Sequence, residues 1–369
     1  MSAVKRLCLA YQEQHSDSQA IVVRSYISLV RNFETYRFPQ KASRSEREGV
    51  AAFVDSKLRN SRFFDVYLNR STLHPVEVRA LQDLDLLGPV ISLEDSSRRR
   101  KSTHPSEQGS QKEYSVFCST QQRCSVSVNE ENHICIRSSM DGLQLESNWK
   151  HCTALDDALD DGSYAFSEQW GYLTANPNDV GTGMRASVFV HLPGLAMTEQ
   201  IDHLAAALHQ IGVTLQRTGN AETSTPALFV VSNTATLGIK ESEELRRLKH
   251  IVETIVEQEQ EARKDFLAIQ DNRTMVCDWV GRMYGVLCSS YQVSQEEASK
   301  LLAWMRFAVD LEMFDASYRS EIDRCLTGSQ QGILSVLESS DLLSEADDHV
   351  RAEYLKKVFR QFPEPKFLA

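Results

Sequence analysis

The sequence has no run of about 18 apolar residues, the length a helix needs to cross a bilayer, and this argues against a membrane span. It also lacks a signal-peptide core. In MSAVKRLCLAYQEQHSDSQA the apolar LCLAY is short and gives way at once to polar residues, so a cytoplasmic location is expected. Positive charge is scarce: 40 Lys and Arg stand against 51 Asp and Glu, a net charge of −11. That excludes the basic footprint of a general nucleic-acid binder and leaves room for a basic protein partner. The eight cysteines form no CxxC pair and no Cys/His zinc spacing, so reduced thiols are expected, with no metal site. There is no internal repeat.

What is present is enough for two domains: 369 residues, 41% hydrophobic and 25% charged. Residues 20–33 read as a strand running into a helix or turn. Residues 43–60 start with a serine cap and a glutamate three residues on, then keep helical spacing. A second capped helix is expected over 71–87, with Pro75 in its first turn. The polar stretch 94–113 reads as a surface loop. YSVFCS, CSVSV and HICIRS then alternate as adjacent antiparallel strands. Helix is expected near 143–162, a strand at 185–192, helix at 196–211 and a strand at 228–233. From 240 the pattern becomes helical to about 360. Leu245, Leu248, Ile251, Val252, Ile255, Val256 and Ala262 lie on one stripe there, suited either to dimerisation or to core packing within the chain. The fold class is therefore α+β: an antiparallel sheet flanked by helices over 1–238, and an all-helical domain over 239–369.

The segment GYLTANPNDVGTGMRASVFVHLPGL, 171–195, resembles the guanido phosphotransferase (phosphagen kinase) signature, in which a C-P-x-N-x-G-T loop leads to G-x-R-A-S-V. Other pieces follow in the family's order. SLVRNFETYRFP (28–39) looks like the helix after the first phosphate-binding strand. VNEENHICI (128–136) resembles N-E-E-D-H-L-R-I, and QRTGNAE (216–222) resembles the R-G-x-x-G-E loop. VSNTATLGIKESEEL resembles the I-S-N-x-x-x-L-G-x-S-E-E segment. GLQLE (142–146) and the helical tail are similar to the bacterial protein-arginine kinase branch. The large N-terminal helical domain of the small-molecule kinases is not recognisable.

The resemblance implies ATP, with Mg2+ carried by the nucleotide, and an arginine-containing protein substrate. It further implies a homodimer, an adaptor or activator protein, and work in protein quality control with a AAA+ protease. Phosphoryl transfer to a guanidinium needs carboxylates to orient and deprotonate the planar cation, and fixed cations to clamp the triphosphate. By resemblance Glu131 is the guanidinium-binding base, Glu130 its neighbour and Glu222 the second substrate carboxylate; His133 matches the motif histidine. Five motif positions supply arginines in the family. Arg185 and Arg217 are kept, whereas Tyr26, Ser28 and Cys135 stand at the other three. Arg24 and Arg137 lie two residues from Tyr26 and Cys135, on the same strand faces, where they could substitute in part. The signature cysteine is Asn176; Asn178, Gly181, Thr182 and Gly183 keep the loop, and Asp179 falls at a variable position.

Near the C-terminus, Asp348, Arg351 and Ala352 fit the R-D-x-x-R-A motif that the family uses to sense phosphoarginine, with Asp347 in place of its first arginine. The run SSRRRKSTH (96–104) could supply replacement cations. Losing three clamps costs roughly 4–9 kcal/mol of nucleotide or transition-state binding if each charge-assisted bond contributes about 1.5–3 kcal/mol. Three readings follow: an active protein-arginine kinase with a remodelled clamp, a pseudokinase that binds or scaffolds, and a small-molecule phosphagen kinase.

Overall fold

A computed structural model describes residues 2–14, 19–88, 113–218, 227–338 and 348–368. Its centre is an eight-stranded antiparallel sheet: β1 (Val22–Arg31), β2 (Val66–Asn69), β3 (Ser115–Cys118), β4 (Cys124–Val128), β5 (Ile134–Asp141), β8 (Met184–His191), β9 (Val213–Arg217) and β10 (Leu228–Asn233). The spatial order is β2-β3-β4-β5-β1-β8-β10-β9. A small hairpin, β6 (Phe166–Ser167) and β7 (Gly171–Tyr172), stands apart.

Alternation decides the faces. On β1, Ile27 and Leu29 are buried while Arg24, Tyr26, Ser28 and Val30 share the opposite face, because successive strand residues point to opposite sides. The apolar face carries Phe117, Val126, Ile136, Ala186, Val188 and Val231. It is packed by α2 (Arg44–Leu58), α4 (Leu145–Leu159), α6 (Ile201–Gln210) and α7 (Glu241–Ala268). The short α5 (Pro193–Met197) lies between β8 and α6. On the other face, α1 (Ala3–Glu13), α3 (Pro75–Asp83) and α11 (Gln331–Glu338) cover β2 and β3.

The helical region adds α8 (Gln270–Ser289), α9 (Gln295–Asp310), α10 (Tyr318–Gly328) and α12 (Asp348–Phe359) around a second core. The division expected at 238/239 falls just before α7. Leu245, Leu248, Val252, Ile255 and Ala262 of α7 join the sheet's own core, so intramolecular packing accounts for that stripe.

Three local expectations are corrected. Residues 28–39 do not form a helix: 28–31 are strand and 32–39 irregular, because the period-two alternation of Ser28 and Val30 against Leu29 and Arg31 suits a pleat. The helix expected from 71 begins at Pro75. His74 is extended (φ −68, ψ 148), as the residue before a proline prefers, and it caps the helix with Glu77 reaching back. Residues 70–72 form a separate 3-10 turn. The stretch 196–211 also breaks, between α5 and α6, where Glu199 takes φ 57.

Among the described residues no helix is long and apolar enough to cross a membrane. All eight cysteines are free thiols.

The tail meets the sheet through α11. Gly332 lies so close to the Ala80 backbone of α3 that a Cβ would collide with it, and its N–H donates to Asp83 Oδ2 at 2.8 Å. Burial pushes the Asp83 carboxyl up to about 6, with the Gly332 N–H acting the other way. The native state therefore holds a proton between about pH 4 and pH 6 that the unfolded chain releases. Stability from this group is present below that window and lost as pH rises through 6. Asp83→Asn should be the more stable form at pH 7, by about 2–3 kcal/mol. Its advantage should shrink towards pH 4, as urea midpoints across the window will show.

Candidate active site

The motif residues meet at one edge of the face that carries Ser28. Glu131 follows β4 in the turn to β5, and Gln40 Nε2 donates to its carbonyl at 2.6 Å. The turn is fixed from beneath. Asn32 Oδ1 accepts the His133 N–H at 2.9 Å, and Asn32 Nδ2 donates to Asn132 Oδ1 at 2.7 Å. Asn132 Oδ1 also accepts the Ala175 N–H at 2.8 Å, which ties the signature loop to the same network. His133 is a packing residue. Its Nδ1 accepts the Phe33 N–H at 3.0 Å, its Nε2 faces the Arg37 carbonyl at 3.0 Å, and Phe33, Tyr36 and Phe38 surround the ring. Burial holds its pKa below the ordinary value.

Glu131, Glu130, Asn129, Cys135, Arg137 and Asp179 border a cleft of about 900 Å3 whose far walls are α3 and α11. Glu131 is half-buried, and no side chain among the described residues pairs with its carboxylate. Glu130 turns inward to Arg137 at 2.5 Å, with Arg70 at 3.8 Å from its other oxygen. Burial raises the Glu130 carboxyl, but Arg137, with Arg70 and Ser127, more than reverses this and holds it below the usual range.

Arg137 also donates to Ser127 Oγ at 2.5 Å. It stands directly across from Ser28, which has Arg185 on its other side. Arg137 and Arg185 thus flank a serine in one cross-strand row. Arg185 is paired with Asp179 at 2.7 Å. Arg24 lies four residues along β1, roughly 13 Å away; it is paired with Asp85 at 2.6 Å and lies over the Phe189 ring at 4.0 Å.

Arg217 does not join this group. It shares the pleat face of Val213 and Leu215, and its guanidinium is 5.2 Å from the ring of Phe229, a residue of the helix-covered core. Tyr26 and Cys135 are held neutral by burial, the Cys135 thiol being pushed up to about 12 and the Tyr26 phenol raised further. Neither supplies a cation.

The signature loop keeps its turn chemistry. Asn176 Oδ1 accepts the Asn178 N–H at 3.0 Å and caps the 3-10 turn Pro177–Asp179. Gly181 takes φ 117, and a Cβ there would run into the Thr236 carbonyl; Gly183 takes φ 64 against the Val30 carbonyl. The Thr182 carbonyl accepts from Arg31, which also binds Asp156.

Arg351 is 1% exposed, and its donors go to the carbonyls of Ser329 and Val293 and to Asp348 and Gln331. It clasps the tail, and Asp348 is its partner in that clasp. Glu222, Asp347 and the run 96–104 lie outside the described residues, as does 94–113 except for Glu113. Among the described residues no group of three or more His, Cys, Asp or Glu is arranged to hold a metal.

Sequence reasoning missed Asp85 and Asp179 as acidic partners and Arg70 as a wall of the cleft. Asp179 carried a signal, as one of six acids in the stretch 151–184, which has no Lys or Arg.

The fold is shared with solved kinases of guanidino compounds. Lombricine kinase superposes with a TM-score of 0.56 at 21% identity, over 68% of this chain and 70% of that one. The duplicated taurocyamine kinase from Schistosoma mansoni gives 0.56 at 21%, over 66% of this chain and 34% of that one. A model of the ATP:guanido phosphotransferase C-terminal catalytic domain matches residues 67–262, and one of the protein-arginine kinase McsB C-terminal domain matches 273–369. The protein-arginine kinase of Halothermothrix orenii is 32% identical over 91% of this chain and 92% of its own length. That of Shouchella clausii is 31% identical over 96% of each. The chain belongs to the ATP:guanido phosphotransferases, in the protein-arginine kinase family.

Proposed function

We propose that this protein recognises arginine side chains of other proteins at Glu131 and has lost the means to hold a nucleotide, so that it acts as a binding member of a kinase family. One observation carries the reading. Among the described residues Arg24, Arg137 and Arg185, the cations on the face that carries Ser28, are each matched to a carboxylate at 2.5–2.7 Å, and Arg70, which also lines the cleft, lies 3.8 Å from Glu130. A polyphosphate needs fixed, uncompensated positive charge. The described residues therefore do not fit ATP with its magnesium. Glu131, by contrast, presents a carboxylate to an open cleft, which suits two parallel bonds from a guanidinium.

A second reading, a slow arginine kinase, draws on one feature. Arg137 faces Ser28 directly, so an arginine sits one strand away from a lost clamp. The Asp179–Arg185 pair is also partly exposed and weak enough for a competing anion to open.

Under either reading the family membership supports protein substrates in a cytoplasmic quality-control setting, with an adaptor and a AAA+ protease as partners. A homodimer would form through a face other than the α7 stripe.

Arginine-containing peptides should bind the purified protein, and Glu131→Gln should weaken them at least tenfold by fluorescence anisotropy. Equal affinity in that variant would remove Glu131 from the reading. Phosphoarginine on the peptide after incubation with Mg-ATP, found by mass spectrometry and lost in Glu131→Gln, would decide for the second reading.

A further inference from the structure

From Lys150 to Arg185 the chain has no basic residue but histidine, and it has six acids. Two of these are neutralised at short range: Asp156 by Arg31 and Asp179 by Arg185. The other four, Asp157, Asp160, Asp161 and Glu168, are exposed. The charges of Asp160 and Asp161 are held in place by turn bonds, from the Gly162 N–H at 2.8 Å and the Ser163 N–H at 3.2 Å.

The β6–β7 hairpin in this stretch exposes two large aromatics, Phe166 at 57% and Trp170 at 48%. A folded chain ordinarily shelters at least one face of such rings, and Trp beside charge is the composition of interface hot spots. The Phe166 ring is rigidly based. Phe166 packs edge-on against Tyr172 at 5.2 Å, and Tyr172 in turn lies 3.5 Å under the Arg31 guanidinium.

The hairpin rises from the network that fixes Glu131. The Ala165 N–H donates to the Asn32 carbonyl at 2.7 Å, and Asn32 Nδ2 donates to the Leu173 carbonyl at 3.1 Å. Asn32 also holds Asn132, the residue after Glu131. Trp170 is five residues from Ala175, which bonds the same Asn132, a reach of at most about 17 Å. A chain with an arginine seated at Glu131 can therefore bring a neighbouring residue within reach of the hairpin.

We infer that the β6–β7 hairpin is a docking surface for a basic, arginine-rich segment of a partner protein, with a second guanidinium stacking on Trp170 or Phe166 within the field of Asp160, Asp161 and Glu168. This rests on the proposed recognition of arginine at Glu131 and adds to it a preference for a neighbouring arginine. Guanidinium suits the surface better than ammonium, because it is planar, weakly hydrated and stacks on aromatic faces. Nucleic acid and anionic lipid are repelled by the same four carboxylates.

The test uses the full chain and three labelled peptides of equal length, carrying one arginine, two arginines, or one arginine and one lysine. Wild-type protein should bind the two-arginine peptide about tenfold more tightly than the others. Trp170→Ala with Phe166→Ala should abolish that advantage and leave the one-arginine peptide unchanged, whereas Trp170→Phe should keep most of it. Asp161→Asn with Glu168→Gln should lower it and flatten its salt dependence. If wild type binds both arginine peptides equally, the docking surface is refuted while recognition at Glu131 stands. If Glu131→Gln changes nothing but the aromatic variants weaken binding, the hairpin stands and the Glu131 reading falls. Equal binding of the lysine peptide would overturn the guanidinium preference.

Discussion

Titrated with Mg-ATP to millimolar concentration, the protein should show no change in its thermal midpoint. A nucleotide at a hundred times its dissociation constant would add about 2.7 kcal/mol to stability, which a melting curve resolves easily. The Halothermothrix orenii relative is the natural comparison in the same buffer. The expectation follows from the charge arrangement. The positions at which the family resemblance expects clamp arginines carry Tyr26, Ser28 and Cys135, and among the described residues Arg24, Arg137 and Arg185 are matched by Asp85, Glu130 and Asp179. Losing roughly 4–9 kcal/mol of phosphate contacts weakens binding about a thousandfold to a millionfold.

The pairs are not equal. Arg185 and Arg24 keep contact with solvent, whereas Arg137 and Glu130 are largely withdrawn from it. Asp179→Asn with Asp85→Asn should therefore release the two accessible arginines and restore weak nucleotide binding, seen as a shift that grows with ATP. A clear shift in the wild type would defeat the proposal that the clamp is dismantled.

Arg306→Met should cost about 3–5 kcal/mol, the largest loss of stability expected from one substitution. Arg306 is fully buried on α9. It bonds Asp323 at 2.8 Å and donates to the carbonyls of Gln19 and Ala20, just ahead of β1. Without it Asp323, 4% exposed, loses the guanidinium that sits 2.8 Å from its Oδ1. Arg306→Met combined with Asp323→Leu should recover much of the loss, since a buried ion pair contributes little beyond an apolar pair of similar volume. Urea midpoints of the two variants separate the outcomes. Equal losses in both would mean that the carbonyl bonds to residues 19 and 20 matter more than the ion pair.

The sheet was legible where alternation was strong. β3, β4, β5, β8 and β10 announce themselves by period two, and the capped helix α2 by Ser43 and Glu46. The two strands of the large sheet that went unread, β2 and β9, are its outer edges. They have four and five residues, too few to set an alternation apart from noise. Helix α1 also went unread, although Val4, Leu7, Cys8 and Tyr11 follow helical spacing.

At the candidate site, the motif comparison found the residue types but not their partners. Nothing local to Arg185 says that Asp179, six residues earlier, folds back onto it. Nothing local to Arg24 says that Asp85, far along the chain, reaches it. Arg217 was misplaced for a simpler reason. Its neighbours in the motif imply the cleft, whereas its parity with Val213 and Leu215 sets it on the helix-covered face.

The missing side chain at position 332 has one more result. Because α11 nests against α3 there, the outer wall of the cleft is made by residues near the far end of the chain, and Arg351 pins that wall through Gln331 and the Ser329 carbonyl. Widening the opening means lifting helices out of a packed core, a slower and costlier event than swinging a loop. Whatever enters must match a gap of set width, and any force applied to the last helix reaches the mouth through solid contacts.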